Sequence, residues 1–498
     1  MQTLSTDYKT LYEESQVLHE DLQLKYELLH TELQQLKRLI YGARHERFIP
    51  ESNNPSQLNL AIQADAVAAS KLSSAKKIEY IRTTTTVTEI NKNHPGRLKL
   101  PSHLERRDTI IEPPGGSEGL KWIDDEITEE LDYEPGKYIV NRYIRRKYID
   151  VHEKIFIAPM IDRTLPKAIA GPGLLTQIVI DKYVDHLPLY RQQQRFAREN
   201  INIPYSTITD WVTNTCKLIE PLYMALHGEV IRSNYLHADE SPIKVLDRDK
   251  KGQTHRGYFW VYHNSIERMV LFEYQQGRGR EAPVAMLKDF AGHLQTDGYS
   301  VYDIFNEREG ITHFYCMAHA RRMFFEAQQN DKARAEYALR QFGLLYDIER
   351  KAKQGSFTPE QVLELRQSEA LVILKEFEQW MIEQYKQTLP KSPIGKALGY
   401  SIQRWKQLMI YTSDSKLNID NNPVENCIRG VAIGRKNWLF AGSHEAAKRS
   451  AMLYSLMGTC KLNGINPFIW LRDILQRIGN HHVNKIQELL PQNWELKA

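Results

Sequence analysis

Residues 234–246 read NYLHADESPIKVL, with the runs NYLHAD (234–239) and IKVL (243–246), and further on come GYFWVYHN (257–264), MVLFEY (269–274), HLQTD (293–297) and ITHFYC (311–316). Short runs of apolar, β-branched and aromatic residues bounded by turn formers predict strands. A helix is expected near Ala282 to Phe290. Three short strands in succession, a helix and two further strands fit a mixed sheet of the ribonuclease-H type. The first and fourth strands of such a sheet are neighbours. Asp239 ends the run Tyr235 to Ala238 and Asp297 follows the run His293 to Thr296, so the two acids converge. A third acid, Glu425, opens a predicted helix in DNNPVEN (420–426). Carboxylates from two strands and a helix suit metal-dependent phosphoryl transfer. Their oxygens match Mg²⁺, which prefers octahedral hard-oxygen ligands and keeps positions open for water and phosphate.

Each acid also has an ordinary structural reading. DESP can make a turn between two strands, and Asp297-Gly298 between apolar segments is a hairpin signal. Asn422, Pro423 and Glu425 together read as an N-cap, a first-turn proline and a capping-box acid. The order and surroundings of the three acids favour a shared site.

Outward from this core, residues 231–328 form its first part. Residues 329–412 are helical and charged, too long for a loop, and read as an inserted helical domain. The core closes over 413–455 with the helix of Glu425, and 456–498 is a helical tail. Upstream, 166–230 holds the helical patterns GLLTQIVIDKYVDH, PLYRQQQRFAREN and STITDWVTNTCKLIE, with Ser206 as an N-cap, a helix-turn-helix-like arrangement. Residues 76–165 read as a small basic β module, in which an acidic stretch, Asp124 to Glu134, leads into the alternating YIVNRYIRRKYIDV. Residues 49–75 resemble a linker. Over 1–48, Leu4, Tyr8, Leu11, Leu18, Leu22, Leu29, Leu36 and Leu39, with Ser15, Lys25 and Glu32 as polar exceptions, recur in steps of three and four, a heptad seam that predicts a coiled coil and self-association.

With 498 residues the chain is long enough for several domains. Its formal charge is only +4, so a nucleic-acid surface has to be local. The cysteines, at 216, 316, 427 and 460, lack paired spacing, which speaks against a disulfide framework. There is no leader-like start and no long apolar stretch, so a soluble intracellular protein is expected.

These tracts resemble a known family, the DDE transposases of the insertion-sequence-sixty-six group. The resemblance rests on KYVDHLPLYRQQQRFAREN, STITDWV, HADESPIKVL, QTDGYSVYD, CMAHARRMFFEA and, above all, the long tract from DNNPVENCIRG to PFIWLRDIL. It implies a multidomain α+β protein whose metal-binding acids are Asp239, Asp297 and Glu425. It implies two Mg²⁺ (or Mn²⁺) ions per site and cleavage of transposon ends followed by strand transfer to target DNA, in the bacterial cytoplasm at the nucleoid. Members of the family are often encoded with small accessory proteins. They usually carry a Cys-rich zinc motif before the LDYEPGKYIVNRYIRRKYI-like tract. Here the matching positions hold no cysteine, so zinc is not expected.

Basic residues expected on DNA are Arg97, Lys99, Arg106, Arg107, Arg145 and Arg146 in the β module, Arg321 and Arg322 after the fifth strand, and Arg429, Arg435 and Lys436 after Glu425. Two rival readings share much of this evidence. One is a ribonuclease-H-fold nuclease or resolvase without strand transfer, and the other a domesticated, non-catalytic DNA-binding protein.

Overall fold

The computed structural model describes residues 100–495 apart from 135 and 247–252. The predicted coiled coil, the linker, Arg97 and Lys99 lie outside the described residues. The remainder is an α+β chain with two mixed sheets.

The first sheet comprises β1 (Glu105–Ile111), β2 (Lys121–Glu134), β3 (Lys137–Ile149) and β4 (Ile155–Ile157), in the order β1-β3-β2 with β4 also on β3. The acidic stretch is itself a long strand, β2, antiparallel to the basic β3. The register sets Asp124 against Lys147, Asp125 against Arg146, Glu126 against Arg145 and Glu129 against Arg142. Opposite charges directly across a strand pair stabilise it. The acidic and basic runs are therefore two halves of one ladder.

Three helices follow: α1 (Pro172–Tyr183), α2 (Leu189–Arg198) and α3 (Tyr205–Ile231). Ser206 is not the N-cap of α3. Pro204 holds that position, and the helix runs on through Pro221. The 27-residue α3 buries Ile208, Trp211, Cys216, Ile219, Leu222 and Leu226 along one stripe against the larger core.

The second sheet is built from β5 (Tyr235–Leu246), β6 (Thr254–Asn264), β7 (Met269–Gln275), β8 (Gly292–Thr296) and β9 (Ile311–Tyr315), with the short helix α4 (Glu281–Met286) between β7 and β8. Its order is β7-β6-β5-β8-β9. The first three strands are antiparallel neighbours, and β8 runs parallel to both β5 and β9. DESP is not a turn, because β5 continues straight through it and Asp239 pairs with Val261 of β6. Asp297-Gly298 is not a hairpin either, since β8 has only parallel partners.

Beyond β9 the chain forms α5 (Met317–Glu326), α6 (Lys332–Gln354), α7 (Pro359–Leu365), α8 (Leu371–Tyr385) and α9 (Pro393–Leu408). These helices share a core of their own around Phe324, Phe342, Phe377 and Trp405, which also takes in Tyr235 and Phe314 from the sheet. The buried Arg366 forks onto Glu349 at 2.9 and 2.7 Å and caps the Tyr411, Asp414 and Leu417 carbonyls. Next comes α10 (Asn422–Asn437), then α11 (His444–Leu462) and α12 (Pro467–Arg477). The edge strand β7 is covered by α11, where Ser455 and Thr459 accept the Phe272 and Val270 N–H groups at 2.7 and 3.2 Å. An edge whose donors are satisfied in this way is closed to further strands.

Candidate active site

Parallel pairing leads toward the first two acids. Tyr235 lies against His293 and His237 against Gln295, the last parallel pair, each two residues short of an acid, and Asp297 is the neighbouring charge that acts most on Asp239. Neighbouring strands are about 4.8 Å apart, and residues at matching parallel positions face the same side. The Asp239 Oδ1 accepts the Glu240 N–H at 2.7 Å, and the Asp297 Oδ1 accepts the Tyr299 N–H at 2.8 Å. Each carboxylate is thereby oriented by its own backbone. Gly298 has φ +89°, and a Cβ there would stand 2.3 Å from the Tyr400 hydroxyl, so only glycine lets α9 approach. Tyr400 donates to the Asp297 carbonyl at 3.0 Å.

Glu425 comes from the first turn of α10. Asn421, not Asn422, is the N-cap residue, and it makes no side-chain cap, so the expected capping box is absent. The fully buried Asn421 side chain instead donates to the Ala238 carbonyl at 3.0 Å and faces His237 Nδ1 at 2.9 Å. On its other side His237 Nε2 lies 3.0 Å from Asn418 Nδ2. Burial pushes His237 down to about 3, so a neutral ring donating from Nδ1 and accepting at Nε2 satisfies both contacts. The Asn421 N–H is donated to the buried Cys316 sulfur at 3.1 Å. Beyond the other end of α10, Ala441 exchanges backbone bonds with Lys244 and Leu246, both at 2.8 Å. Thus α10 is tied to β5 at both ends.

Asp239, Glu240, His319, Arg322, Glu425 and Arg429 line one cavity of about 350 Å³. Burial, and then the charges of Asp297, Glu240 and Glu425, hold the Asp239 carboxyl well above the usual carboxylate range. Crowded acids in a partly dry site favour a cation among them, which removes the mutual repulsion. An all-oxygen donor set suits a hard divalent ion. Among the described residues, however, no three His, Cys, Asp or Glu side chains are already gathered as a metal cage. His319 Nε2 stands 4.0 Å from the Glu425 carboxylate, and burial lowers its proton affinity. Arg278 bonds to Glu240 and stacks on Tyr299 with its guanidinium 4.0 Å from the ring centre.

The predicted basic residues divide. Arg106 is wrapped by the Leu100, Pro101, Ser102 and Leu104 carbonyls and bonds Glu129. Arg107 pairs with Glu134 at 2.6 Å, Arg145 with Glu126 at 2.6 Å, and Arg146 with Glu112 at 3.7 Å. Arg435 bonds the Pro242 carbonyl, and Lys436 is exposed. Arg322 and Arg429 lie on the cavity with the acids, and Arg321 lines the next one.

Sequence reading missed His237, Asn421 and the Glu240–Arg278–Tyr299 group. A signal existed for His237. It shares the face of Asp239 and Ser241 in a strand whose other residues up to Ala238 are apolar, and a polar residue there needs a built partner.

Family models give the class of the chain as transposase. A family model described as "Transposase IS66 family" matches residues 167–449, "IS66 C-terminal element" matches 455–492, and "Transposase C of IS166 homeodomain" matches 28–109. The chain belongs to the IS66 transposase family, and that membership implies DNA binding. It is similar to the uncharacterized protein y4hP of Sinorhizobium fredii (strain NBRC 101917 / NGR234), at 30% identity over 94% of this chain and 88% of that protein. It is also similar to the uncharacterized protein y4jD of the same organism, at 28% identity over 94% of each. No helix among the described residues is long and apolar enough to cross a membrane.

Proposed function

We propose that this chain is a DDE-type transposase that binds the ends of its insertion sequence and cuts and joins DNA strands. Asp239, Asp297 and Glu425 are its acid triad, on a ribonuclease-H-like core. What supports this reading is where the acids stand: Asp239 and Asp297 each follow by two residues the last parallel pair, His237 with Gln295, and the helix of Glu425 is pinned to the strand of Asp239. Burial, and then the charges of Asp297, Glu240 and Glu425, raise the proton affinity of Asp239.

The three carboxylates would hold Mg²⁺ or Mn²⁺. Two such ions supply activation of a water or DNA 3′-hydroxyl and stabilisation of the leaving oxygen. Arg322 and Arg429 neutralise strand phosphates beside the acids. Asn421 and His237 fix where Glu425 stands relative to Asp239, and Arg278 holds Glu240 aside from the pair. The N-terminal heptads of residues 1–48 join copies of the chain, and the work is done on nucleoid DNA in a bacterial cytoplasm.

The test is strand cleavage of end-containing DNA with Mg²⁺. Asp239→Asn, Asp297→Asn and Glu425→Gln should each lower it by on the order of a thousandfold or more while DNA binding without metal persists. A soluble variant that cuts and joins at the wild-type rate removes that acid from the triad.

A further inference from the structure

A second cavity, of about 540 Å³, opens beside the first and shares Arg322 with it. Around it stand Arg321, Arg322 and Phe325 of α5, Gly343 and Arg350 of α6, and Asn422 at the start of α10. Three guanidinium groups face one space with no carboxylate in its lining. Among the described residues, Arg321 and Arg322 make no side-chain hydrogen bond or ion pair. Arg350 pairs only with Asp347, one turn away on α6, and both are exposed. Such a cluster accepts phosphate oxygens through charge-assisted, forked hydrogen bonds.

The remaining lining supplies an aromatic surface and room. Phe325 is 57% exposed, an apolar ring presented at the mouth of a basic cavity. Aromatic faces beside cationic grooves stack unpaired bases of any sequence. Gly343 lies in the middle of the 23-residue α6, where glycine is a poor helix former. A Cβ at this position would meet nothing within 4 Å. Packing therefore does not demand the glycine, whose effect is to leave the cavity open. The volume lies within the ~300–1,000 Å³ of small-molecule sites, the scale of one nucleotide rather than of a duplex. Tyr346 stiffens the floor by donating to Asp420 at 3.0 Å.

We propose that this cavity takes one unpaired nucleotide of the DNA strand that passes the carboxylates, its phosphate between Arg321, Arg322 and Arg350 and its base on Phe325. The inference rests on the reading of the chain as a DNA-processing enzyme and adds a substrate feature to it, a frayed or single-stranded nucleotide next to the reacting bond.

The probes are a blunt duplex of about 20 base pairs and the same duplex with a tail of about three nucleotides, bound to the full chain in EDTA and followed by fluorescence anisotropy. The wild type should prefer the tailed duplex by about tenfold. Phe325→Ala should bring that ratio close to one, and Phe325→Tyr should preserve it. Gly343→Leu should also abolish the ratio while melting no lower than wild type, because it fills open space and favours the helix. A wild type without tail preference, or Phe325→Ala and Gly343→Leu proteins that keep it, would overturn the proposal. Cleavage is not needed for this measurement. A chain that cuts DNA but ignores the tail refutes the cavity alone, and one that prefers the tail but never cuts refutes the triad alone.

Discussion

The β module and the acid-lined core carry the same residue type in opposite circumstances. In the module, Arg107, Arg145 and Arg146 each face a glutamate, and Arg106 is spent on four backbone carbonyls and Glu129. Near the acids, Arg321, Arg322 and Arg429 have no such partner among the described residues. A strand pair that alternates acid against base neutralises itself, whereas a cavity rim leaves its cations for a ligand. Density of arginine along a sequence therefore says little about DNA contact, and what stands across from each arginine decides it.

The largest expected effect follows directly. Each phosphate contact adds about one to the slope of log affinity against log salt. The Arg322→Gln, Arg429→Gln double variant should flatten that slope by about two and weaken duplex binding on the order of tenfold or more near physiological salt. The Arg145→Gln, Arg146→Gln pair should leave the slope unchanged. Titrations at several salt concentrations measure both, and a steeper loss from the module pair would reverse the comparison.

Much of the site was legible because its parts are local. Apolar runs ending in Asp239 and Asp297 read as strands, and DNNPVEN read as a helix start. What escaped depended on partners far away in the chain. DESP carries ordinary turn chemistry, yet ten consecutive pairs with β6, from His237 to Leu246, override it. Asn422-Pro423-Val424-Glu425 has the form of a capping box, but Asn421 takes the cap position and turns its amide to β5, 183 residues upstream. The acidic run before YIVNRYIRRKYIDV was visible, but its role as the neutralising partner depends on register, and composition does not encode register.

Asn421 provides the next test. Asn421→Ala leaves the Ala238 carbonyl and His237 Nδ1 without partners in a buried place, which costs about 1–3 kcal/mol. Cleavage should slow more than DNA binding weakens, because Glu425 loses its tie to Asp239 while Arg322 and Arg429 remain. Denaturant melts together with separate binding and cleavage assays would show this. A variant as stable and as active as wild type would mean that α10 is held by its other end alone.

The two regions also respond to acid in different orders. Burial pushes His313 of β9 down to about 3; its ring meets Thr296 Oγ1 at 2.9 Å and Asn306 Oδ1 at 2.7 Å. Neutral when folded, it takes up a proton on unfolding below about pH 6.5. At this histidine the unfolded state then binds more protons, and its contribution to stability falls as pH drops, by about 2 kcal/mol between roughly pH 6.5 and pH 5, while the raised Asp239 titrates in the opposite sense. In the module, hydrogen bonds from Lys137 to Glu105 and from Arg107 to Glu134 hold both carboxyls below their ordinary 4.5, so these pairs fail only in stronger acid. Glu130, raised mainly by its burial, titrates in the opposite sense, so mild acid does not weaken the base of the module. Amide exchange near pH 5 should therefore open β8 and β9 before β2 and β3, and the reverse order would contradict the assignment.

The smallest effect concerns Arg107. It and Glu134 are both partly exposed, and ion pairs of this kind contribute little to stability. Arg107→Gln should change neither the melting temperature nor the salt dependence of DNA binding by a measurable amount. The informative partner is Glu134→Gln, which leaves Arg107 with only Glu105, at 3.3 Å, to face. If neutralisation across the strands is what silences the module, that variant should steepen the salt slope by up to about one, while Arg107→Gln in the same background should restore it. A wild-type slope in Glu134→Gln would mean that the module lies away from the DNA altogether, and that position rather than pairing separates the two arginine clusters.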